Sequence, residues 1–538
     1  MAYDKVIDSA KLNGAMTATA DAIRGKTGGT AQIPWNESTG FASAVGGIST
    51  SENLDAVLDE QETKLNRLLE VLDSKASGGG APVEEKDVNF YDYDGTLLHA
   101  YTLDEVQEMT ELPPNPTHDG LVAQGWNWTL EELKELGREC SVGQMYITDD
   151  GKTRIYIHLV EGRTSPVLGC CPKGTVTVDW GDGTTPDTLT GTSVTTVKWT
   201  PAHNYAAPGD YVITLTVSGS MGFYGSSGTS RSGLLQYATG NDGQNVVYLN
   251  SIQKIEIGSG ITSIETYAFS YLFSLKSITI PKGITNIGGC AFYHCYSLTS
   301  CVVPSGVTGV LWSGFEYCFA LESIAIPKSA TNIGGTVFRY CYSLKRITIP
   351  DGVTVINAYL FNNCRSITSV SMPNGITSIG AYAFDSCHSL SSIKIPSSLT
   401  SIAANAFAEC RSLADITLPD NMTSIATSVF QVCRCLTSII IPEGVKSLGG
   451  YTFYECLSLT DITLPSTLAS IGAGEFSTCW GLGKMKFLST TPPTVASTNA
   501  FDGIHATCVV EVPRGTLATY QAATNYGNIA AQMVESES

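Results

Sequence analysis

ITSIGAYAFDSCHSLSSIKIP, from Ile376 to Pro396, is one unit of a pattern that recurs every 23 residues. In it Ile393 and Ile395 alternate with polar residues, the spacing of a short strand with one buried face. Pro396, which has no backbone donor, ends the strand. Ile376, Ile379, Phe384 and Cys387 mark the rest, which reads as a turn and a helical or 3₁₀ segment facing the same core. Three ladders of one period run outward from this unit: nine prolines from Pro281 to Pro465, ten phenylalanines from Phe269 to Phe476, and nine cysteines from Cys295 to Cys479. One unit alone cannot bury its apolar side. Stacking ten of them over residues 259–488 makes a continuous core, a rod or arc on the order of 50 Å long with parallel strands about 4.8 Å apart.

The cysteines read as small buried hydrophobes. Nine is odd, no CxxC occurs, and no His keeps step with them, so neither a disulfide framework nor a metal site is expected. The first unit has Gly258 where proline would fall. Past Pro465, Leu488 replaces proline and Phe501 lies two residues late. Such atypical end units are what a repeat array needs as caps.

The units, in phrases such as CYSLTS (295–300) and IPEGVKSLGGYTFYECLSLTDITLP (441–465), resemble the BspA-type leucine-rich repeats of bacterial and phage surface proteins. The resemblance implies a solenoid used for adhesion, ligand binding or spacing. The tail TPPTVASTNAFDGIHATCVVEVPRGTLATY (491–520) looks like that family's C-terminal cap, giving a cap over 489–538.

Before the solenoid the chain changes character several times. Residues 1–48 read as a helical head with Leu12, Met16, Ala20 and Ile23 at helical spacing. ADAIRGKTG, within residues 20–28, is similar to the N-terminal segment of tail-associated proteins of phages that infect gut Firmicutes. Residues 49–77 carry heptad spacing, with Leu54, Leu58, Gln61, Leu65, Leu68 and Leu72 as oligomerisation positions. A single amphipathic helix is the alternative, and the tail-fibre resemblance implies a homotrimer. SGGGAP (78–82) is a flexible linker, opening a stretch, 78–165, that ends in a small α+β module. In that module FYDYDGTLL (90–98) matches the DxDGT signature of haloacid-dehalogenase-type phosphatases, which would make Asp92 a nucleophile and Asp94 an acid/base. Too few residues follow for that fold. The turn reading, Tyr-Asp-Gly-Thr between two alternating strands, is preferred. Its neighbourhood resembles phage tail proteins bearing similar repeats.

Residues 166–219, with Trp180, Gly181-Asp182-Gly183, His203, Tyr205 and Tyr211, resemble a PKD domain, an immunoglobulin-like β-sandwich. Asp182 and Asp210 read as turn caps rather than cation ligands. Residues 220–258 are a connector and the solenoid N-cap. The chain is thus expected to be multidomain: a leucine-rich-repeat solenoid preceded by a PKD-like sandwich and an N-terminal helical, coiled-coil region.

Bulk properties limit the partners. The net charge is -19 over 538 residues, which argues against nucleic acid or an anionic membrane. The excess lies outside the repeats, which hold 13 Lys+Arg against 12 Asp+Glu. The start MAYDKVIDSAKLNGAM lacks an apolar signal region, and no run of about 18 apolar residues occurs. Neither export through a signal peptide nor membrane insertion is expected, and no catalytic residue, metal or cofactor is assigned.

The residue after each ladder cysteine falls between two inward positions and is expected outside. It is Tyr296, Phe319, Tyr342, Arg365, His388, Arg411, Arg434, Leu457 and Trp480 in turn. A strip of aromatics and arginines is what binding hot spots favour, so these residues, Leu457 apart, are the expected ligand site. The expected function is a phage tail fibre or receptor-binding protein in a virion assembled in the host cytoplasm. Its partners would be a host-surface glycan or protein and, through its N-terminus, other tail or baseplate proteins. A bacterial surface adhesin and a purely structural tail component are the alternatives.

Overall fold

Inward isoleucines at fixed spacing demand a coil whose turns superpose. The computed structural model, which describes residues 83–162, 164–225, 234–237 and 251–536, has that shape. Three-residue strands such as Ser323–Ala325, Arg346–Thr348 and Ser438–Ile440 form one face, one strand in each turn except that of residues 392–394, where the strand expected at Ile393 and Ile395 does not form. Two-residue strands such as Asn286–Ile287, Ser378–Ile379 and Ser424–Ile425 form a second. Pairing is parallel with a register of one repeat: Asn286 pairs with Gly309, which pairs with Asn332. The coil outruns the ten expected units at both ends, through Ile252–Glu256, Val509–Val512 and Met533–Glu535, to about twelve turns.

The third side corrects the expected helical or 3₁₀ segment. It is a chain of tight turns containing two left-handed residues per repeat, Tyr382 (φ 56°) and Ser386 (φ 61°) in the unit quoted above. Left-handed backbone costs a non-glycine residue about 1–2 kcal/mol. The bonding offsets that cost. N–H groups of Tyr382, Phe384 and Ser386 donate to the carbonyls of Ala404, Ala406 and Ala408 in the next turn, while those of Ala383, Asp385 and Cys387 close local turns. Alternate amides therefore bond across and within, and both sets are satisfied without helix or strand.

Inside, the phenylalanine ladder is a ring stack. Phe361, Phe384, Phe407 and Phe430 lie 5.3, 5.1 and 5.9 Å apart, centroid to centroid, at small interplanar angles. Phe501 joins the stack on Phe476 at 6.0 Å, so the two-residue insertion is absorbed before the last rung. The ladder cysteines are buried and free. Each ladder thiol also donates to the phenylalanine carbonyl one turn and three residues back, Cys387 to Phe361 at 3.2 Å and Cys410 to Phe384 at 3.2 Å. A small side chain with a weak donor fits that niche; alanine fills the volume less well and leaves the carbonyl bare.

Residues 166–219, expected as a PKD-like sandwich, are joined to the solenoid. Its strands, preceded by β5 (Thr153–Leu159), are β6 (Pro166–Asp179), β7 (Asp187–Thr192), β8 (Lys198–Trp199) and β9 (Gly209–Phe223). β5 pairs with the strand Ile252–Glu256, and the end of β9 pairs with Ile261–Ile264. Ile155, Val176, Trp180 and Leu215 share one apolar core with the repeats. These strands close the N-terminal end of the coil. At the other end, buried Tyr520 and Tyr526 donate to the carbonyls of Ser489 and Pro493.

The module at 83–148 has its own core around Phe90, Trp126, Trp128 and Leu133. Strands β1 (Val88–Tyr91), β2 (Leu97–Tyr101), β3 (Leu121–Trp126) and β4 (Cys140–Thr148) form a sheet in the order β2-β1-β4-β3. Helices α1 (Leu103–Glu108) and α2 (Leu130–Leu136) each begin in a capping box, Thr102 with Glu105 and Thr129 with Glu132. This module lies along the three-residue-strand face of the early turns. Asn127 Nδ2 donates to the carbonyls of Val303 and Ala325, both at 3.1 Å, and Trp128 Nε1 to Ile326 at 2.9 Å. Arg138 reaches the carbonyls of Ser371 and Ile349 and the Asp351 carboxylate. Gly143 lets β4 settle onto Val302 and Ala325, where any side chain would collide. The strand face is open further along: Ile440 is 78% exposed.

The helical head, the heptad positions Leu54, Leu58, Gln61, Leu65, Leu68 and Leu72, the linker, and much of the connector lie outside the described residues. Among the described residues no helix is long and apolar enough to cross a membrane.

Candidate functional site

The left-handed turns carry the expected strip, and its residues do form one column. Phe273, Tyr296, Phe319 and Tyr342 stack at 4.8, 4.7 and 4.8 Å, and the Arg365 guanidinium caps Tyr342 at 4.8 Å. Beyond it come His388, Arg411 and Arg434. Arg411 pairs with Glu409 at 2.7 Å and Arg434 with Glu455 at 2.9 Å. Trp480 ends the column, 61% exposed. The expectation of full exposure is corrected for Tyr296, Phe319 and Tyr342, which are half-buried because each packs on its neighbour one turn away, and for His388, which is half-buried near Glu409. The rings therefore show solvent their electropositive edges rather than their faces.

A second stack runs alongside. His294 lies between Tyr271 at 4.8 Å and Tyr317 at 4.3 Å, and Tyr340 follows at 4.6 Å. Burial lowers the His294 pKa to about 4, so the imidazole is neutral and its Nδ1 contacts the Tyr296 hydroxyl at 2.7 Å. Beneath the stacks a polar chain crosses four turns, from Glu316 to Arg339 to Asn362 to Asp385. Desolvation, helped by Glu409, raises Asp385 to about 6. This chain had no sequence signal, because it occupies a repeat position that varies freely: Tyr293, Glu316, Arg339, Asn362, Asp385.

Glu475 stands where other repeats have alanine, glycine, valine, leucine or threonine, and it is fully buried. One oxygen accepts from Thr452 N–H at 3.3 Å; the other has no partner. Desolvation pushes its pKa well above the usual carboxylate range. A carboxyl whose folded pKa is raised stabilises most below its unfolded pKa, and the fold weakens as pH climbs above it. Glu475→Val, the residue at the equivalent Val429, should stabilise the fold by about 1–3 kcal/mol at neutral pH. The gain should shrink as pH falls to 5. Thermal melts of both proteins across that range check this, and a gain independent of pH would refute it.

The DxDGT segment is a hairpin turn. Asp92 N–H donates to Thr96 O, Gly95 N–H to Asp92 O, and β1 pairs with β2 on either side. Asp92 is buried, with Oδ2 2.7 Å from His118 Nε2 and Oδ1 accepting from Tyr93 N–H. Tyr93, His118 and Tyr146 pack edge to face around it. Asp182 takes up backbone and hydroxyl of Thr184 and meets His203 Nε2 at 2.7 Å, with the His203 ring stacked on Trp180 at 4.6 Å. Asp210 meets His158 at 2.8 Å. These aspartates hold turns and partners. Among the described residues no three His, Cys, Asp or Glu side chains are grouped to hold a metal.

Parallel three-residue strands at a 23-residue period over a ladder of stacked aromatics define a leucine-rich-repeat β-solenoid. Comparison with family models is more specific: residues 243–368, 312–436 and 354–483 match the BspA type leucine rich repeat region. The repeat array of this chain is similar to that type. Solved structures with similar chains include a leucine-rich repeat protein from Bacteroides ovatus, 24% identical over 52% of this chain and 77% of that one, TM-score 0.43. Another is the leucine-rich repeat protein of T. pallidum, 33% identical over 30% of this chain and 78% of that one, TM-score 0.29. A leucine rich cell surface protein from Faecalibacterium prausnitzii is 24% identical over 53% and 84%, TM-score 0.34. No protein of curated function matches.

Proposed function

We propose that the chain is an adhesion protein whose solenoid presents the turn-face column to a glycan or protein on a cell surface. One observation carries this reading: Tyr296, Phe319, Tyr342, Arg365, His388, Arg411, Arg434 and Trp480 occupy one column along the array. The early strand face is covered by the chain's own module, which leaves the turn face as the longer continuous surface. We further propose that the carrier is a phage tail fibre in a virion, trimeric through residues 49–77 and attached to other tail proteins by residues 1–48. The support is the resemblance of residues 20–28 and of the neighbourhood of residues 90–98 to phage tail proteins, with the heptad spacing over 49–77. A bacterial surface adhesin is the second reading, favoured by the BspA-type repeat match.

Replacing Tyr342, Arg365 and Arg411 together with alanine should weaken binding to target cells at least about tenfold, since each tenfold is 1.4 kcal/mol and hot-spot residues cost more. Unchanged binding would favour a purely structural role. Co-purification with phage particles, or with a bacterial cell envelope, separates the two carriers. No catalytic step is assigned to Asp92 or Asp94. Phosphatase activity with Mg²⁺ that disappears in Asp92→Asn would overturn that assignment.

A further inference from the structure

The cations of the turn face are all arginines. Between each two-residue strand and Leu390 or its equivalents stand Arg339, Arg365, Arg411 and Arg434, while the lysines of the repeats lie outside that span. Arg339 is spent inside the fold, where its nitrogens go to Asn362, Glu316 and the Tyr340 hydroxyl. The other three share one column and are exposed. Arg365 lies over the Tyr342 ring and reaches Asn363 Oδ1 at 3.4 Å, and among the described residues no carboxylate pairs with it. Arg411 and Arg434 each give Nη2 to one carboxylate oxygen, of Glu409 at 2.7 Å and Glu455 at 2.9 Å. A guanidinium carries five N–H donors in a planar fork, so both keep most of their donors for a second partner.

The rest of the column agrees in sign. Tyr296, Phe319 and Tyr342 cover one another's faces and turn their electropositive edges outward. His388 stands between Arg365 and Arg411, and burial, then Arg411 and Arg365, lower its pKa. The imidazole is therefore neutral and lies in the joint field of the two cations. Spacing narrows the partner further. Arg365 and Arg411 are two turns apart and Arg411 and Arg434 one, roughly 10 and 5 Å. Side chains on one face of an extended peptide recur at about 7 Å, out of step with these turns. A glycan with an acidic group on each ring, one ring to about one turn, keeps step.

We infer that the turn-face column recognises an acidic glycan, with ring-borne oxyanions, carboxylate or phosphate ester, held by the guanidinium forks of Arg365, Arg411 and Arg434. The inference rests on the adhesion reading and names the ligand class of that same surface. Forks of this kind suit oxyanions because two parallel N–H bonds meet two oxygens. The net charge of -19 does not stand against a short acidic ligand, because the excess lies outside the repeats, which hold 13 Lys+Arg against 12 Asp+Glu. It does confine such a ligand to this strip, since the rest of the chain repels it.

Titration calorimetry on the full chain tests this with a galacturonate hexamer, a phosphate-esterified dextran oligomer, an unmodified dextran oligomer and polyglutamate. At least one acidic glycan should bind, and the unmodified dextran should not. Raising NaCl from about 50 to about 300 mM should weaken that binding several-fold, because exposed charge contacts are screened. Arg365→Gln should lower the affinity about tenfold with the melting curve unchanged. Arg365→Lys should recover part of it, because it restores the charge without the fork. Lys394→Gln, on the strand face, should leave it unchanged. An anion seated across Arg365 and Arg411 should also raise the His388 pKa, which NMR titration of the ring protons reads. Binding of the galacturonate alone identifies a carboxylate and of the phosphodextran alone a phosphate ester; either supports the inference. No binding of either acidic glycan, equal binding of the unmodified dextran, a preference for polyglutamate, or wild-type affinity in Arg365→Gln would overturn it. Loss of cell binding in the Tyr342, Arg365 and Arg411 triple variant, with no acidic glycan bound by the wild type, would leave the adhesion reading standing and remove this one.

Discussion

Phe384→Ala should destabilise the solenoid by about 3–5 kcal/mol, the cost of emptying a fully buried phenylalanine site. Phe384 is 0% exposed and stacked at 5.3 and 5.1 Å between Phe361 and Phe407. Its carbonyl accepts the Cys410 thiol, and its N–H bonds the next turn at Ala406. Removing the ring takes support from both neighbours, and the surrounding turns cannot collapse inward without breaking three hydrogen-bond rows. In a linear array each turn is stabilised by its neighbours, so the damage spreads from the site. Hydrogen exchange should show the loss of protection centred on residues 361–407 and fading toward both ends. Loss confined to residue 384, or a change under 1 kcal/mol, would contradict the ring stack as the main support.

Asn127→Ala should have an effect of similar size, by a different route. The amide is 1% exposed and makes three bonds: Nδ2 to the carbonyls of Val303 and Ala325, and Oδ1 from Gly143 N–H at 2.8 Å. Alanine strands the Val303 carbonyl and the Gly143 amide in a buried interface, each worth about 1–3 kcal/mol, and leaves the Ala325 carbonyl with its bond from Val303 N–H alone. The module's own core, around Phe90 and Trp128, does not depend on these bonds. The variant should therefore release the module intact rather than unfold it. Limited proteolysis should cut newly in the connection near residue 150, and Thr348, 6% exposed beneath the module, should become accessible. Combining it with Arg138→Ala should add little further release. A variant that keeps its protease resistance would show that the docking does not depend on these bonds.

The parts that repeat were legible and the parts that do not were missed. Period, proline stop and isoleucine alternation state the strand faces directly, because each repeats many times and noise cancels. The same repetition hid the turn side. Tyr382 and Ser386 are ordinary residues in an unusual conformation that is held by bonds to the next turn, and no local propensity announces it. The module's place on the strand face was invisible for another reason. Asn127 and Arg138 bond to carbonyls about 180–230 residues away, and backbone acceptors leave no mark in a sequence. Small residues at Val302, Ala325, Thr348 and Ser371, against Lys394 and Ile440 later in the same column, are the trace such docking leaves. In the candidate site the column itself was legible from its place beside the cysteines. Its self-stacking was not, because that depends on the exact superposition of turns.

Thiol counting tests the continuous, fully packed coil most directly. Fifteen of the chain's sixteen cysteines are buried and one, Cys435, is exposed. Burial raises the ladder thiols far above their ordinary pKa, as at Cys318, Cys364 and Cys410, so they are protonated as well as inaccessible. Under native conditions an excess of a maleimide reagent should modify one thiol per chain, at Cys435. In denaturant it should modify all sixteen. Rapid native labelling of several ladder cysteines, or fewer than sixteen thiols after unfolding without reductant, would contradict a ladder of free, buried cysteines at the centre of the solenoid.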